Sequence, residues 1–268
     1  MIRDDASPGA RVMARLDALA EFSETPGELT RLYLTPEHKA AALQVRVWME
    51  EAGMTARMDA VGNIVGRYEG AAPDAPALLL GSHIDTVRNA GKYDGNLGVV
   101  AAIQAVAELN AQGRRLPCAI EVLAFGDEEG VRFPVTLAGS RTVAGVLDVA
   151  ALDAEDAQGL SVREALQRFG CNPFEIHKVP RRKEEVLGYV EVHIEQGPVL
   201  EAEGLPVGVV TALLLFMAEA EGVAGSLPLE PVAAVMRERG VRVVVDAAAE
   251  LPPRAGLARR LAAGADLV

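Results

Sequence analysis

Ala77-Leu78-Leu79-Leu80 is a continuous apolar run that ends at Gly81-Ser82-His83-Ile84-Asp85. An unbroken run of this kind is the pattern of a strand buried on both faces, and α/β sheets bind ligands at the C-terminal ends of such strands. Further on, Val99, Val100, Ile103, Val106, Ala107 and Leu109 recur at helical spacing between Gly95 and Ala111. Ala119 to Phe125 then reads as another strand, finishing at Gly126-Asp127-Glu128-Glu129-Gly130. Strand, helix and strand in that order predict a βαβ unit, and with it an α/β fold.

The flanking sequence extends this pattern. Thr35-Pro36 reads as an N-cap with proline at the first helical position, followed by Leu43, Val47 and Trp48 and a stop at Gly53. Ser161 to Phe169 is a short helix with Ser161 as cap, Glu164 as its capping-box partner and Gly170 as its end. Tyr189 to Ile194 reads as a strand that stops on His193-Ile194-Glu195-Gln196-Gly197. Near Leu213 the texture changes: Pro228 opens a helix to Gly240, and Val241 to Val245 is a β-branched strand ending at Asp246. We find no internal repeat and no low-complexity linker.

Composition narrows the function classes. The 268 residues are 50% hydrophobic, 24% charged and only 4% aromatic, so the core rests on Ala, Val and Leu, as suits helices packed on a sheet. With 26 Lys+Arg against 38 Asp+Glu, the net charge of −12 offers no footprint for nucleic acid or an anionic membrane, and neither is expected as a partner. Cys118 and Cys171 belong to no CxxC pair, which fits a reducing cytoplasm. Met1 to Asp5 carries acids where a signal peptide needs basic and then apolar residues, and Val207 to Ala218 is too short to span a bilayer. A soluble cytoplasmic protein is expected.

Several strand ends carry histidine and carboxylate. In His83-Ile84-Asp85 the two polar residues share a face, so Asp85 can accept the second ring N–H of His83 and fix its tautomer, either as a self-contained pair or behind a metal. Asp94, before Gly95-Asn96-Leu97-Gly98, suits a helix N-cap, a bridge between two cations, or both. Glu128-Glu129 leave the strand alternation and are open to two readings: a solvated charge pair, or one metal ligand and one general base. His193 closes a strand; alone it reads as structural. His38 and His177 are assigned surface roles. No Gly-x-Ser-x-Gly elbow, P-loop or GxGxxG is found.

Taken together, four segments resemble the zinc aminopeptidase/aminoacylase superfamily, in its branch of N-carbamoyl-L-amino-acid and allantoate amidohydrolases. They are Gly81 to Val87, Gly91 to Gly98, Glu128 to Phe133 with Ala138 to Arg141, and His193 to Pro198. The string His193-Ile194-Glu195-Gln196-Gly197-Pro198 selects the branch. The resemblance covers residues 1–213 and implies a mixed sheet flanked by helices. It further implies a two-metal hydrolase of linear amide or ureido C–N bonds in small molecules. His83 and His193 would hold one metal, Asp94 would bridge, Glu129 would hold the second, Glu128 would be general base, Asp85 would orient His83, and Gln196 would touch substrate. Zinc fits this ligand set, and manganese or cobalt would also be accepted.

The remainder departs from the family pattern. The family continues into a lid and dimerisation domain and then supplies a late histidine for the second metal, whereas no histidine follows His193. The second site would keep only Asp94 and Glu129, fewer than the usual three protein ligands of a catalytic zinc, and the family's homodimer is not expected. Residues 214–268 instead resemble a selenocysteine-synthase-like pyridoxal-phosphate enzyme, in Gly225-Ser226-Leu227-Pro228, Val243 to Pro253 and Ala262 to Val268. Asp246 would match its cofactor aspartate or be a plain turn acid, and the Schiff-base lysine would lie beyond residue 268. The alternative to an active amidohydrolase is therefore a truncated or chimeric, catalytically incompetent chain holding at most one metal.

Overall fold

The computed structural model describes residues 7–209 and, as backbone, 212–216 and 242–246. In chain order the elements are α1 (Pro8–Ala20), α2 (Pro36–Glu51), β1 (Thr55–Met58), β2 (Ile64–Tyr68), β3 (Ala77–His83), α3 (Asn96–Ala111) and β4 (Ala119–Phe125). They continue with α4 (Ala138–Val143), α5 (Val162–Phe169), β5 (Val186–Val190), α6 (Val199–Glu203), β6 (Ala212–Phe216) and β7 (Arg242–Asp246). The chain divides into two compact units, Met1–Ile194 and Glu195–Val268.

The first unit is built on a five-stranded sheet of order β1-β2-β4-β3-β5. β1, β2 and β4 pair antiparallel, and β3 lies parallel to both β4 and β5, so the sheet is mixed. The expected βαβ unit is β3-α3-β4. Side chains alternate along β4: Ile120, Val122 and Ala124 enter the larger core cluster, Ala119, Leu123 and Phe125 the smaller one. Both faces are therefore covered, which is why the strand is apolar apart from Glu121. On the larger side α3 packs on β3, β4 and α1, while α2 packs on β1 and β2.

Helix α2 starts as expected, with Thr35 accepting the His38 N–H and Pro36 at the first position. Its buried stripe differs from the one expected: Ala41, Ala42, Val45, Trp48 and Met49 face the core, and Leu43 and Val47 face outward. Helix α5 has the full Ser161–Glu164 capping box and ends at Gly170, whose φ of 95° only glycine adopts cheaply.

β5 begins at Val186 and stops at Val190, so His193 lies beyond a strand that was expected to contain it. Among the described residues β5 pairs with β3 alone, and Leu187, Tyr189, Val190 and Val192 are exposed along this edge. In the second unit, α6 closes at Gly204, and β6 and β7 pair in parallel from Ala212↔Arg242 to Phe216↔Asp246. Leu213, where a junction was expected, falls inside β6. The expected helix from Pro228 to Gly240 lies outside the described residues. No described helix is long and apolar enough to cross a membrane.

Candidate metal centre

β3 and β4 end level, with His83 opposite Phe125. His83 is buried at 3% exposure, and its Nδ1 lies 2.9 Å from the Asp85 carbonyl oxygen. A carbonyl only accepts, so Nδ1 carries the proton and Nε2 presents its lone pair, the tautomer a metal ligand needs. The expected partner was the Asp85 carboxylate, but that group stands 3.7 Å from Nδ1. Its two oxygens instead accept the backbone N–H groups of Glu128 at 3.1 Å and Glu129 at 3.2 Å. Asp127 makes this possible by taking a left-handed φ of 62° as the chain leaves β4. The bend breaks strand alternation and turns successive N–H groups to one carboxylate. Asp85 thus clamps the loop carrying both glutamates, while its carbonyl sets the histidine.

Asp94 is not a helix cap. Helix α3 starts at Asn96 with Gly95 in the cap position and no side-chain cap bond. Gly95 has φ 64°, and a Cβ there would stand 2.4 Å from His83 Nε2, so glycine is required for both conformation and clearance. Asp94 Oδ1 consequently lies 3.7 Å from His83 Nε2 and 3.1 Å from His193 Nε2. The two imidazoles stack at 5.9 Å between centroids, and His193 Nδ1 meets the Ile194 carbonyl at 2.9 Å. His193 therefore presents Nε2 in the same tautomer. His83, Asp94 and His193 bring one ligand atom each within 4.8 Å of one another.

Sequence reasoning missed the device that holds the His193 segment. Glu191 accepts from Ser82 Oγ at 2.6 Å and from Tyr189 Oη at 3.0 Å, so its carboxylate ties the segment to the end of β3. A Cβ on Gly98 would stand 2.3 Å from the Val192 carbonyl, so the first turn of α3 packs directly under the same segment. The spacing Tyr189, Glu191, His193 was the available signal, since alternate residues of an extended chain share a face.

His83, Glu128 and Glu129 form a second group with ligand atoms within 4.8 Å, Glu128 Oε2 lying 3.8 Å from His83 Nε2. Burial alone would favour a neutral His83, but the Asp94, Asp85 and Glu128 carboxylates push it up to about 9. Burial, reinforced by neighbouring carboxylates and opposed by His83, raises Glu128 and pushes Glu129 up to about 7. Four carboxylates crowd one buried ring. Such an excess of negative charge around imidazole nitrogens fits a divalent cation, and two Nε2 atoms with carboxylate oxygens suit zinc, manganese or cobalt.

The other histidines divide. His177 is exposed, as expected. His38 is not at the surface: it is fully buried, stacked on Phe169 at 5.2 Å, with Nδ1 accepting the Leu34 N–H at 3.1 Å. It sits on the inward face of α2, where the amphipathic pattern was misassigned. Gln196 belongs to the second unit, where its backbone takes a φ of 54°.

Comparison with known proteins places the chain in a family. The model of peptidase family M20/M25/M40 matches residues 79–266. The N-carbamoyl-L-amino acid amidohydrolase of Geobacillus stearothermophilus is 46% identical over 206 residues, 76% of this chain and 50% of that one. Allantoate deiminase 1 of Glycine max is 40% identical over 253 residues, 88% of this chain and 52% of its own. A hydantoinase/carbamoylase family amidase from Burkholderia ambifaria superposes with a TM-score of 0.67 at 37% identity, over 73% of this chain and 48% of that one. The chain spans about half the length of the curated relatives it matches. The family match continues to residue 266, and nothing in the comparisons supports a pyridoxal-phosphate enzyme for residues 214–268. With a family model matched over residues 79–266 and relatives of 40–46% identity, this chain belongs to peptidase family M20/M25/M40.

Proposed function

We propose that the chain is a metal-dependent amidohydrolase acting on linear amide or ureido C–N bonds of small molecules, of the N-carbamoyl-L-amino acid or allantoate type named in its relatives. The observation that carries this reading is the convergence of His83 Nε2, His193 Nε2 and Asp94 Oδ1. A divalent cation bound there would supply Lewis acidity toward the scissile carbonyl and acidify water at neutral pH. The chain's own groups do the rest. His83 and His193 are held in the ligating tautomer by backbone carbonyls, and Asp85 fixes the loop that carries the two glutamates. Glu128, raised by burial and 3.8 Å from the ligand nitrogen, takes the proton of the attacking water and returns it to the leaving nitrogen. Glu129 and Asp94 are the acids available to a second ion, and Gln196 is assigned to substrate. Both cysteines are free thiols, as a reducing cytoplasm would keep them.

The test is metal analysis of the purified chain together with assays on N-carbamoyl-L-amino acids and allantoate. We expect at least one tight equivalent and hydrolysis that falls by about 10²-fold or more in Glu128→Gln. Less than one equivalent overturns the reading. A second reading, an inert chain with at most one metal, is favoured by one observation: both ligand groups among the described residues draw on the same His83. Turnover by the wild-type chain excludes it.

A further inference from the structure

We infer that Arg31 is a positioning residue of the metal centre, fixing the end of β3 and the Asp94 loop relative to each other through one planar guanidinium. This rests on the metal reading above. Arg31 is fully buried at 0% exposure. Its Nε donates to the Ile84 carbonyl at 2.7 Å, and its Nη2 donates to Asn96 Oδ1, also at 2.7 Å. Ile84 stands between His83 and Asp85, and Asn96 follows Asp94-Gly95. The fork therefore grips both ligand-bearing segments without touching a ligand. Nη1 donates to the carbonyls of Leu19 at 2.7 Å and Phe22 at 3.0 Å, anchoring the fork at the end of α1. The backbone of Arg31 is fixed too, its N–H donating to Thr86 Oγ1 at 2.9 Å and its carbonyl accepting the Thr86 N–H at 3.0 Å.

The chemistry of the side chain points the same way. All four side-chain bonds go to neutral acceptors, an expensive use of a buried cation if the purpose were cohesion alone. A rigid fork transmits the position of one acceptor to the other, which a lysine ammonium on a flexible stem does not. The Asp85 carboxylate also acts on the guanidinium, opposing the cost of burying its charge.

Arg31→Lys keeps the charge and loses the fork. Cobalt titration followed by visible absorption should show affinity about 10- to 100-fold weaker than wild type, with an altered ligand-field band. Met49→Ala, a buried truncation in α2, serves as a control for destabilisation and should bind cobalt as wild type does. Asn96→Ala removes one acceptor of the fork and should weaken cobalt binding in the same direction, which keeps the proposal testable where Arg31→Lys does not fold. With only four histidines in the chain, imidazole NMR of the metal-free proteins adds a second readout. The His83 and His193 signals should move in Arg31→Lys, and those of His177 should not. Wild-type cobalt affinity in Arg31→Lys, or equal weakening in Met49→Ala, overturns the inference. Failure of the wild-type chain to take up cobalt overturns the metal reading instead, and the imidazole signals alone then decide the role of Arg31, unmoved His83 and His193 rings refuting it.

Discussion

His38 and His83 are equally buried, at 0% and 3% exposure, yet their surroundings make them opposites. His38 accepts a backbone N–H at Nδ1, stacks on Phe169, and has Arg31 and Arg132 as its nearest charges. Burial and those two cations push it down to about 3. His83 donates from Nδ1 to a carbonyl and turns Nε2 toward Asp94 and Glu128, which push it up to about 9 against its burial. One ring is a neutral member of the core, the other a cation held among carboxylates. Burial does not separate a ligand from a core histidine; the tautomer set by the backbone and the sign of the surrounding charge do.

This contrast is open to direct attack. The largest effect is expected from His83→Ala, which should abolish tight metal uptake, whereas His38→Gln should leave it intact; equilibrium dialysis against zinc separates the two. Next comes the pH dependence of the metal-free chain. Because His83 is raised in the fold, its contribution is complete below the unfolded value near 6.5 and is lost as pH rises through about 9. Urea unfolding should register a decline of up to about 3 kcal/mol across that range, flattened in His83→Gln. The smallest effect has the reverse sign. His38 is depressed, so stability is complete above about pH 6.5 and falls as the unfolded chain takes up a proton that the fold refuses. Between pH 6.5 and 5, before most carboxylates titrate, the loss should be about 1–2 kcal/mol and should be absent in His38→Gln.

Much of the scaffold was legible because its signals are local. The apolar runs of β3 and β4, the Thr35-Pro36 start of α2 and the capping box of α5 each depend on a few neighbouring residues, and each lies where expected. The candidate ligand set came only from an ordered combination of motifs, and the structure brings His83, Asp94 and His193 together. What stayed hidden was set by tertiary contact. Asp94 reads as a cap until Gly95 is seen turning under His83, and Asp85 reads as a partner for the ring until the bend at Asp127 delivers two N–H groups to it. Arg31 carries no sign in the sequence of being wholly inside, since arginine is mostly exposed. The inward face of α2 was misread because its small alanines give a weaker hydrophobic signal than Leu43 and Val47.

The level ending of β3 and β4 also sets how far apart in the chain the parts of the centre lie. The strands form a parallel pair, which needs a crossover through α3, and the His193 segment is tied to the end of β3 by the Ser82–Glu191 bond spanning 109 residues and by Tyr189 Oη donating to the Gly81 carbonyl at 3.0 Å. His83 and Asp94 lie 11 positions apart in the chain, whereas His193 lies 110 positions from His83, so bringing in the second imidazole closes much the longer loop. Here the candidate ligand groups are brought together by hydrogen bonds of the fold itself, in contrast to a zinc finger, in which the metal makes the fold.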